Sequence, residues 1–287
     1  MPQAKIGVIG GTGLYQIEGM TDIEEVKVKT PFGDPSDSII TGALEGTRIA
    51  FLPRHGRGHR ITPTELPSRA NIYALKSLGV ERIIAVNSCG SFKEELKPRD
   101  LVIPDQIIDR TRGRLNTFFG HGIVAHIPFA EPFCPALSQI LYQAAQEAGA
   151  KVHRGGTFIA MEGPQFSTKA ESRLYKSWGA DIIGMTVLPE AKLAREAEIC
   201  YAVVACVTDY DSWHEALEPV KIEEILSILA QNIGRAKAII KTAAAHIPAK
   251  RNCECAGALA TAIITTPEMI PNQTRKNLEL LIGKYLK

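Results

Sequence analysis

The sequence has no excess of one charge and no long hydrophobic run. Its 287 residues carry 33 lysines and arginines against 31 acids, a formal charge of +2, which gives no sign of a surface for nucleic acid or anionic membranes. The longest apolar run, residues 199–207, is far shorter than the ~20 residues of a membrane helix. The N-terminal MPQAKIGVIGGTGL lacks a charged leader and a small-residue cleavage pattern. We therefore expect a soluble, cytoplasmic protein that binds neither nucleic acid nor membrane.

Cysteine is also scarce, and its six positions do not form a familiar metal motif. Cys253 and Cys255 make a C-x-C pair that no second Cys or His pair follows, so zinc is disfavoured there. A disulfide, local or to a distant partner, is favoured over a metal if the protein comes from a thermophile with an oxidising interior. Whether a Cys253–Cys255 or a Cys134–Cys200 bond forms stays open. Outside the C-x-C pair we expect small buried thiols, at Cys89, Cys134, Cys200 and Cys206.

Apolar runs typical of buried strands alternate with helical patterns. Ile- and Val-rich runs bounded by turn residues predict strands at 5–10, 48–52, 82–86, 101–108, 157–161, 181–185 and 199–207. Apolar residues spaced by three and four predict helices at 66–78, 135–148, 168–178, 189–197 and 219–244. We expect an α/β fold, a single domain whose mixed central sheet is flanked by helices.

The composition changes near the C-terminus. The stretch AHIPAKRNCECAG, residues 245–257, separates a domain at 1–245 from an extension at 246–287. Within the extension, TRKNLELLIGKYL predicts a final amphipathic helix. We interpret the extension as an appendage of the domain rather than a second domain.

A glycine-rich turn follows the first predicted strand. In VIGGTGLY, residues 8–15, a dinucleotide fingerprint starting at Gly11 and Gly13 needs a third glycine where Gln16 stands. This argues against a nicotinamide-dependent dehydrogenase. The backbone N–H groups of the turn, with the Thr12 hydroxyl, can still point at an anion. A tight turn without a ligand is the alternative.

Two further strand ends carry donors suited to phosphate. FLPRHGRGHR, residues 51–60, places Arg54 and His55 among other basic residues, and an arginine fork bonds phosphate oxygens well. AVNSCGS, residues 85–91, adds Asn87, Ser88 and glycine-flanked backbone donors. A solvated basic loop is the alternative for the first segment. Because ligands gather at the carboxyl edge of an α/β sheet, the three strand ends predict one shared anion site.

Two later strands end next to helix starts. Glu162 stands where one strand meets a Gly-Pro turn, and Thr168 with Glu171 fits a helix capping box. The cap explains the second and third of these residues but not Glu162. In GMTVLPEA, Met185 and Thr186 precede the next helix; a methionine there is more often a core residue than a ligand contact.

The last predicted strand closes with two acids. CVTDYDSWHE, residues 206–215, places Asp209 and Asp211 at the tip of the apolar run. Two acids in a turn, one of them capping the next segment, are the plain alternative. Beside an anion site they are instead candidates for binding the other end of the same ligand.

These motifs occur in an order similar to that of a known family. The chain resembles the trimeric purine nucleoside phosphorylase and methylthioadenosine phosphorylase family over residues 4–245, through GGTGLY, PRHGRGHR, NSCGS, HIPFAEPFCP, EGPQFS-x-x-AE, GMT-x-x-PEA and TDYD-x-W. The resemblance is greatest to the branch that uses phosphate to split methylthioadenosine into adenine and 5-methylthioribose 1-phosphate, in purine and methionine salvage. It implies phosphate as a co-substrate, no cofactor or metal, and a homotrimer or a dimer of trimers.

The resemblance also implies roles for the matched residues. Met185 would lie against the ribose, while Asp209 and Asp211 would face the purine. His126 would reach the site of a neighbouring subunit. Ser88 stands where the family has alanine, which matters little if the contact is made by the backbone N–H. The phosphate would be held by Thr12, Arg54, His55, Asn87, Ser88 and Thr186, and Ser167 with Ile222 would set substrate preference. The C-x-C tail resembles a disulfide-bearing branch of the family.

Carboxylates at the purine end favour an adenine-containing substrate. An acceptor-only carboxylate suits the 6-amino group of adenine, whereas a 6-oxopurine needs a donor. Asp209 near N7 could act as general acid for the leaving base, and Ile222 could supply an apolar wall for a methylthio group. The alternatives are a broader purine nucleoside phosphorylase acting on adenosine, inosine, guanosine or methylthioinosine, and a nucleoside-binding module without catalysis.

Overall fold

A mixed sheet of eleven strands organises the part of the chain that the structure, a computed structural model, describes. The described residues are 3–11, 14, 17–214 and 222–286, with only the backbone given at 222–227, 229 and 230. The strands are β1 (Ile6–Gly10), β2 (Thr21–Val26), β3 (Ile39–Leu44), β4 (Thr47–Pro53), β5 (Arg82–Ser91), β6 (Leu101–Ile103), β7 (Gln106–Arg110), β8 (Val152–Arg154), β9 (Thr157–Met161), β10 (Ile182–Gly184) and β11 (Cys200–Tyr210). The α-helices are α1 (Ser68–Ser77), α2 (Pro135–Glu147), α3 (Lys169–Ser177), α4 (Val187–Glu196), α5 (Ile222–His246) and α6 (Asn272–Ile282). Among these, no helix combines the length and apolar character needed to cross a bilayer.

The strand order brings several carboxyl ends to one edge of the sheet. β1 lies between β4 and β5 and runs parallel to both. β11 runs parallel to the whole length of β5, with one irregularity between Val207 and Asp209. The short β10 pairs antiparallel with the end of β5, at Gly90 and Ser91. β1 and β4 therefore end close to Ala85 of β5, while β5 and β11 continue together to Ser91 and Tyr210.

Both faces of the central strands are buried, as alternation along β11 shows. Tyr201 and Val203 pack into a core with residues of α1, α4 and α6. Their neighbours Ala202 and Val204 pack into a second core with residues of α2 and α5. A strand that is apolar on both faces is typical of a sheet covered by helices on both sides. The expected α/β fold with a mixed, helix-flanked sheet is confirmed.

Several predicted element boundaries are wrong. β5 runs on to Ser91 and β11 to Tyr210, because the two strands pair with each other beyond their apolar runs. The single strand predicted at 101–108 is two strands, β6 and β7, separated at Pro104; proline cannot donate a ladder hydrogen bond. The exposed β2, the three-residue β8 and the buried β3 were not predicted. The capping box at Thr168 is confirmed by its reciprocal bonds with Glu171.

The C-terminal extension packs into the main core. Leu278, Leu281 and Ile282 of α6 are at most 3% exposed and belong to the same core as α1 and α4. A β-bridge joins Ala125 to Ile263. Arg82 Nη2, at the start of β5, donates a 2.7 Å hydrogen bond to the carbonyl of Pro248. The extension is thus tied to the sheet along its length.

Candidate active site

Arg54 joins the ends of three parallel strands. Its N–H, just beyond β4, donates to the carbonyl of Gly10 at the end of β1, at 2.9 Å. Its Nη1 donates to the carbonyl of Val86 in β5, at 2.8 Å. Its Nε and Nη2 bond the two carboxylate oxygens of Glu190 on α4, at 2.6 and 3.1 Å. Arg54 therefore fixes the geometry of this edge and gives it positive charge, with most of its N–H groups already engaged.

Glu190 is the buried counter-ion of this clamp. The side chains of Arg54 and Glu190 are 3% and 1% exposed, and Tyr201 in β11 donates its hydroxyl to Glu190 at 2.9 Å. A buried ion pair of this kind keeps its charges only while both partners are present. The pairing leaves no local signal in the sequence, because the two residues lie 136 positions apart.

His55 is neutral and has one free ring nitrogen among its described contacts. Burial, with a further contribution from Arg54, lowers the pKa of His55 to about 4. Its Nδ1 lies 2.7 Å from the carbonyl of Ile61 and must carry the proton, because a carbonyl only accepts. Nε2 is then an acceptor. The ring stacks on His59, with centroids 4.1 Å apart.

Asn87 and Thr186 meet at the same edge. Asn87 Nδ2 donates to the Thr186 hydroxyl oxygen at 2.7 Å, and both residues are buried. Thr186 precedes α4 but its side chain makes no capping hydrogen bond. The hydroxyl proton of Thr186 is therefore available to an acceptor such as a phosphate oxygen.

The two acids lie beside β5, a short step along the strand from Asn87. Asp209 pairs with Gly90 in the β5–β11 register, three residues or about 10 Å beyond Asn87. A side chain at Gly90 would stand 3.0 Å from Asp209 Oδ1 and 3.2 Å from Asp211 Cβ. Glycine at this position thus lets β5 pass close beneath the acid pair.

The pKa values of both acids are raised above those of ordinary aspartates. Burial raises the pKa of Asp209 to about 6, and the charge of Asp211 adds to the rise, although the Thr208 hydroxyl donates to the Asp209 carboxylate at 2.6 Å. Burial also raises the pKa of Asp211. Asp211 Oδ2 is buried and has no hydrogen-bond partner among the described residues, so it can accept one from a ligand.

Met185 lies under the Gly163–Pro164 turn and is fixed by Arg114. A side chain at Gly163, where φ is +70°, would clash with Met185 Sδ. Arg114 Nη1 donates to the carbonyls of Met185 and Leu188, at 2.5 and 2.8 Å. Its Nε bonds Glu162 at 3.1 Å. Glu162, unexplained by the sequence, is thus a partner of the arginine that ties the turn after β9 to the end of β10.

The other predicted site residues differ in exposure and in contacts. Ser167 is buried and its carbonyl accepts from the Ser212 hydroxyl at 2.9 Å, one residue beyond Asp211. Ser88 is exposed in β5. His126 is exposed, and the contact seen for it is a backbone bond to Ala262 at 2.9 Å. Thr12 and the side chain of Ile222 lie outside the described residues.

A separate cavity lies near Arg114. It measures about 260 Å³ and is lined by Phe32, Thr64, Arg69, Arg114 and Pro189, among others. None of the residues predicted for the site lines it. Its walls carry no acid pair, so we assign the chemistry to the strand ends and not to this cavity.

Comparison with protein families and curated proteins gives one consistent relationship. The phosphorylase superfamily matches residues 5–245. The S-methyl-5'-thioadenosine phosphorylase of Geobacter sulfurreducens is 60% identical over 98% of this chain and 99% of its own length. That of Koribacter versatilis is 55% identical over 99% of this chain and 97% of its own length.

Solved structures give the same relationship. A methylthioadenosine phosphorylase from an antarctic soil metagenomic library matches with a TM-score of 0.94 and 48% identity, over 98% of this chain and 99% of the other. The Schistosoma mansoni methylthioadenosine phosphorylase in complex with adenine matches with a TM-score of 0.80 and 36% identity, over 98% of both chains. Another structure of the schistosome protein is described as adenosine/methylthioadenosine phosphorylase.

Proposed function

The chain belongs to the phosphorylase superfamily, and we propose that it is a pentosyltransferase that splits S-methyl-5'-thioadenosine with phosphate into adenine and 5-methylthioribose 1-phosphate. One observation carries the proposal. An anion-binding group at Asn87 and Thr186 and an acid pair at Asp209 and Asp211 lie on neighbouring strands, about 10 Å apart along β5. This spacing suits a ligand with phosphate at one end and a purine at the other.

Phosphate binds at the strand ends in this scheme. Thr186 donates its free hydroxyl proton to a phosphate oxygen, and neutral His55 can accept the P–OH proton of hydrogen phosphate at Nε2. Arg54 supplies positive charge from its clamped position, which favours the dianion. Ser88 and Thr12 complete the proposed set through donors at the ends of β5 and β1.

The acid pair acts on the base. A phosphate oxygen attacks C1' of the ribose as the bond from C1' to N9 breaks, through an oxocarbenium-like sugar. The bonding electron pair goes to the purine, and protonated Asp209 donates to N7 to neutralise it. General acid assistance of this kind contributes about 10²- to 10⁴-fold. Asp211 Oδ2 accepts from the 6-amino group and so favours adenine over a 6-oxopurine.

The sugar is positioned by apolar contacts. Met185 is proposed to lie against the ribose, held in place by Arg114. Ser167, next to Asp211, and Ile222, at the start of α5, are proposed to set preference at the base and at the 5' end. A broader purine nucleoside phosphorylase is the second candidate, supported by the pairing of adenosine with methylthioadenosine in a related protein's description.

The proposal also includes an oligomeric state, a cellular compartment and a cofactor requirement. We propose a homotrimer, or a dimer of trimers, in which His126 contributes to a neighbouring site, and a cytoplasmic location. The exposure of His126 supports such a contact. Because phosphate is both nucleophile and counter-charge, the reaction is proposed to need no metal or cofactor. A panel of nucleosides, assayed with and without phosphate, tests the activity.

A further inference from the structure

Four cysteine thiols from three distant parts of the chain converge at one point. The Sγ atoms of Cys134, Cys200, Cys253 and Cys255 all lie within 4.8 Å of one another, and Cys200 and Cys253 are 3.3 Å apart. All four are free thiols in the structure. Cys134 precedes α2, Cys200 begins β11, and the other two belong to the C-terminal extension. The C-x-C pair thus lies beside a second pair of cysteines, Cys134 and Cys200, from earlier in the chain.

The spacing of the sulfurs fits a tetrahedral metal. A zinc ion bound by four thiolates at about 2.3 Å holds its sulfurs about 3.8 Å apart. The Cys200–Cys253 separation of 3.3 Å lies just below that value, and no separation exceeds 4.8 Å. Two cysteines separated by one residue, together with two from other elements, form a ligand set that closes around the ion. Cys134, Cys200 and Cys255 are at most 4% exposed, as expected for a structural site without an open position.

The surroundings favour thiolates. Arg82 and Arg251 line a small cavity of about 10 Å³ together with Cys134, Cys200 and Cys253. Arg82 is 4% exposed and so brings a positive charge into the interior. α2 begins directly after Cys134, and the N-terminus of this 13-residue helix adds partial positive charge at the thiol. These groups offset the charge of a tetrathiolate site.

We propose that Cys134, Cys200, Cys253 and Cys255 bind one structural zinc ion, which fastens the C-terminal extension to β11 and α2. On binding, each protonated thiol loses its proton to solvent, and no redox step is involved. The site is separate from the acid pair and the phosphate-binding strand ends. It does not depend on the proposed catalytic function.

The competing arrangement is a pair of disulfides among the same four cysteines. It would consume the thiols and leave no ligand for a metal. The two arrangements differ in mass, in metal content and in free thiols, so they can be separated on the unmodified protein.

The test begins with the full-length protein expressed in a reducing cytoplasm and purified without chelator or reductant. We expect about one zinc ion per chain by elemental analysis, release of that zinc by a mercurial thiol reagent, and an intact denatured mass showing all six cysteines reduced. Replacement by Co²⁺ should give the visible absorption of a tetrahedral thiolate site. Disulfides in the intact mass, iron in place of zinc, or four reduced thiols that take up neither Zn²⁺ nor Co²⁺ would overturn the proposal.

Two variants locate the ligands. Cys253→Ser, at the least buried of the four positions, should lower the zinc content at least about tenfold and lower the melting temperature. Cys206→Ser, which replaces a buried cysteine outside the cluster, should keep the zinc of the parent protein. Equal zinc content in both variants would contradict the assignment even if the wild-type protein carries zinc. Should Cys253→Ser fail to fold, the metal content and mercurial release of the wild-type protein decide.

Discussion

At the scale of single residues, proton positions explain how the strand ends can bind an anion. Thr186 accepts a hydrogen bond from Asn87 Nδ2 at 2.7 Å, so its own proton is directed elsewhere. His55 donates a hydrogen bond from Nδ1 to the carbonyl of Ile61. One group thus offers a donor and the other an acceptor, which matches the oxygens and the single P–OH of hydrogen phosphate.

Thr186→Val should weaken phosphate binding specifically. The change removes the donated hydrogen bond at almost constant volume, and we expect the KM for phosphate to rise about 10- to 100-fold with a smaller change in the KM for the nucleoside. Thr186→Ser keeps the hydroxyl and should stay close to the wild type. Steady-state kinetics with each substrate varied in turn makes the measurement; equal effects of Val and Ser would remove the hydroxyl from the account.

Asp209→Asn should separate activity from stability. It removes the general acid, so we expect kcat for methylthioadenosine to fall about 10²- to 10⁴-fold and the preference for 6-aminopurines to relax. The wild-type kcat/KM should decline as the pH rises through about 6, where Asp209 loses its proton, and the variant should lack that decline. An unchanged rate would exclude Asp209 from the mechanism.

The same residue has a pH-dependent effect on folding. Its pKa is raised from 3.8 to about 6 in the folded protein, so it stabilises the fold at low pH and this contribution is lost as the pH rises through 6. Compared with the wild type, Asp209→Asn should therefore gain in relative stability between pH 4 and pH 8, by up to about 3 kcal/mol. Denaturation at the two pH values also shows that the variant is folded.

The sequence could name these residues but not their partners. Arg54, Asn87, Asp209 and Thr186 stand in recognisable motifs, and the structure brings them to one edge. In the sequence, Glu190 is only an acidic residue in a predicted helix, and nothing there indicates that it supports Arg54. No motif indicates a role for Arg114. Both act through contacts across 70 or more positions, which local spacing does not report.

At the scale of elements, the Arg54–Glu190 pair fastens α4 to the ends of the parallel strands. The pair is buried and receives a third bond from Tyr201. Its energetic role is to remove the cost of two isolated buried charges. It also fixes the start of α4, next to Thr186.

Glu190→Gln should destabilise the protein because it leaves Arg54 as an unpaired buried cation. We expect a loss of about 3–5 kcal/mol in the free energy of unfolding. Tyr201→Phe is the matched control, since it removes a single neutral donor from the same carboxylate and should cost about 1 kcal/mol. Chemical denaturation measures both; similar losses would show that charge pairing contributes little.

The elements themselves were predictable to different degrees. The strands that are apolar on both faces, such as β1 and β11, carry a continuous Ile, Val and Ala signal. β2 is almost wholly exposed, and β8 has three residues of which none is fully buried, so apolar patterning gives little information there. The true ends of β5 and β11 follow from their pairing, which is a tertiary property.

At the scale of the whole molecule, the C-terminal extension is part of the folded core. Its helix α6 buries Leu278 and Leu281 against the residues that cover the sheet. The composition change near residue 250 marks the extension in the sequence, but composition does not show where an amphipathic helix packs. The four-cysteine cluster joins the same segment to the core.

Leu281→Ala should destabilise the whole protein, whereas Leu280→Ala should not. Leu281 is 3% exposed and its neighbour Leu280 is 39% exposed. Removing the buried side chain should cost about 2–5 kcal/mol, and the exposed one within about 0.5 kcal/mol. Thermal and chemical denaturation with a single transition would confirm one cooperative unit. An early, separate transition of the extension, or no loss in Leu281→Ala, would contradict it.

The most direct test of the proposed function is a chromatographic assay of base release from methylthioadenosine, adenosine, methylthioinosine and inosine, with and without phosphate. We predict that methylthioadenosine has the highest kcat/KM and gives adenine only when phosphate is present, with one 5-methylthioribose 1-phosphate formed for each adenine. Faster cleavage of inosine, or release of adenine without phosphate, would contradict the account.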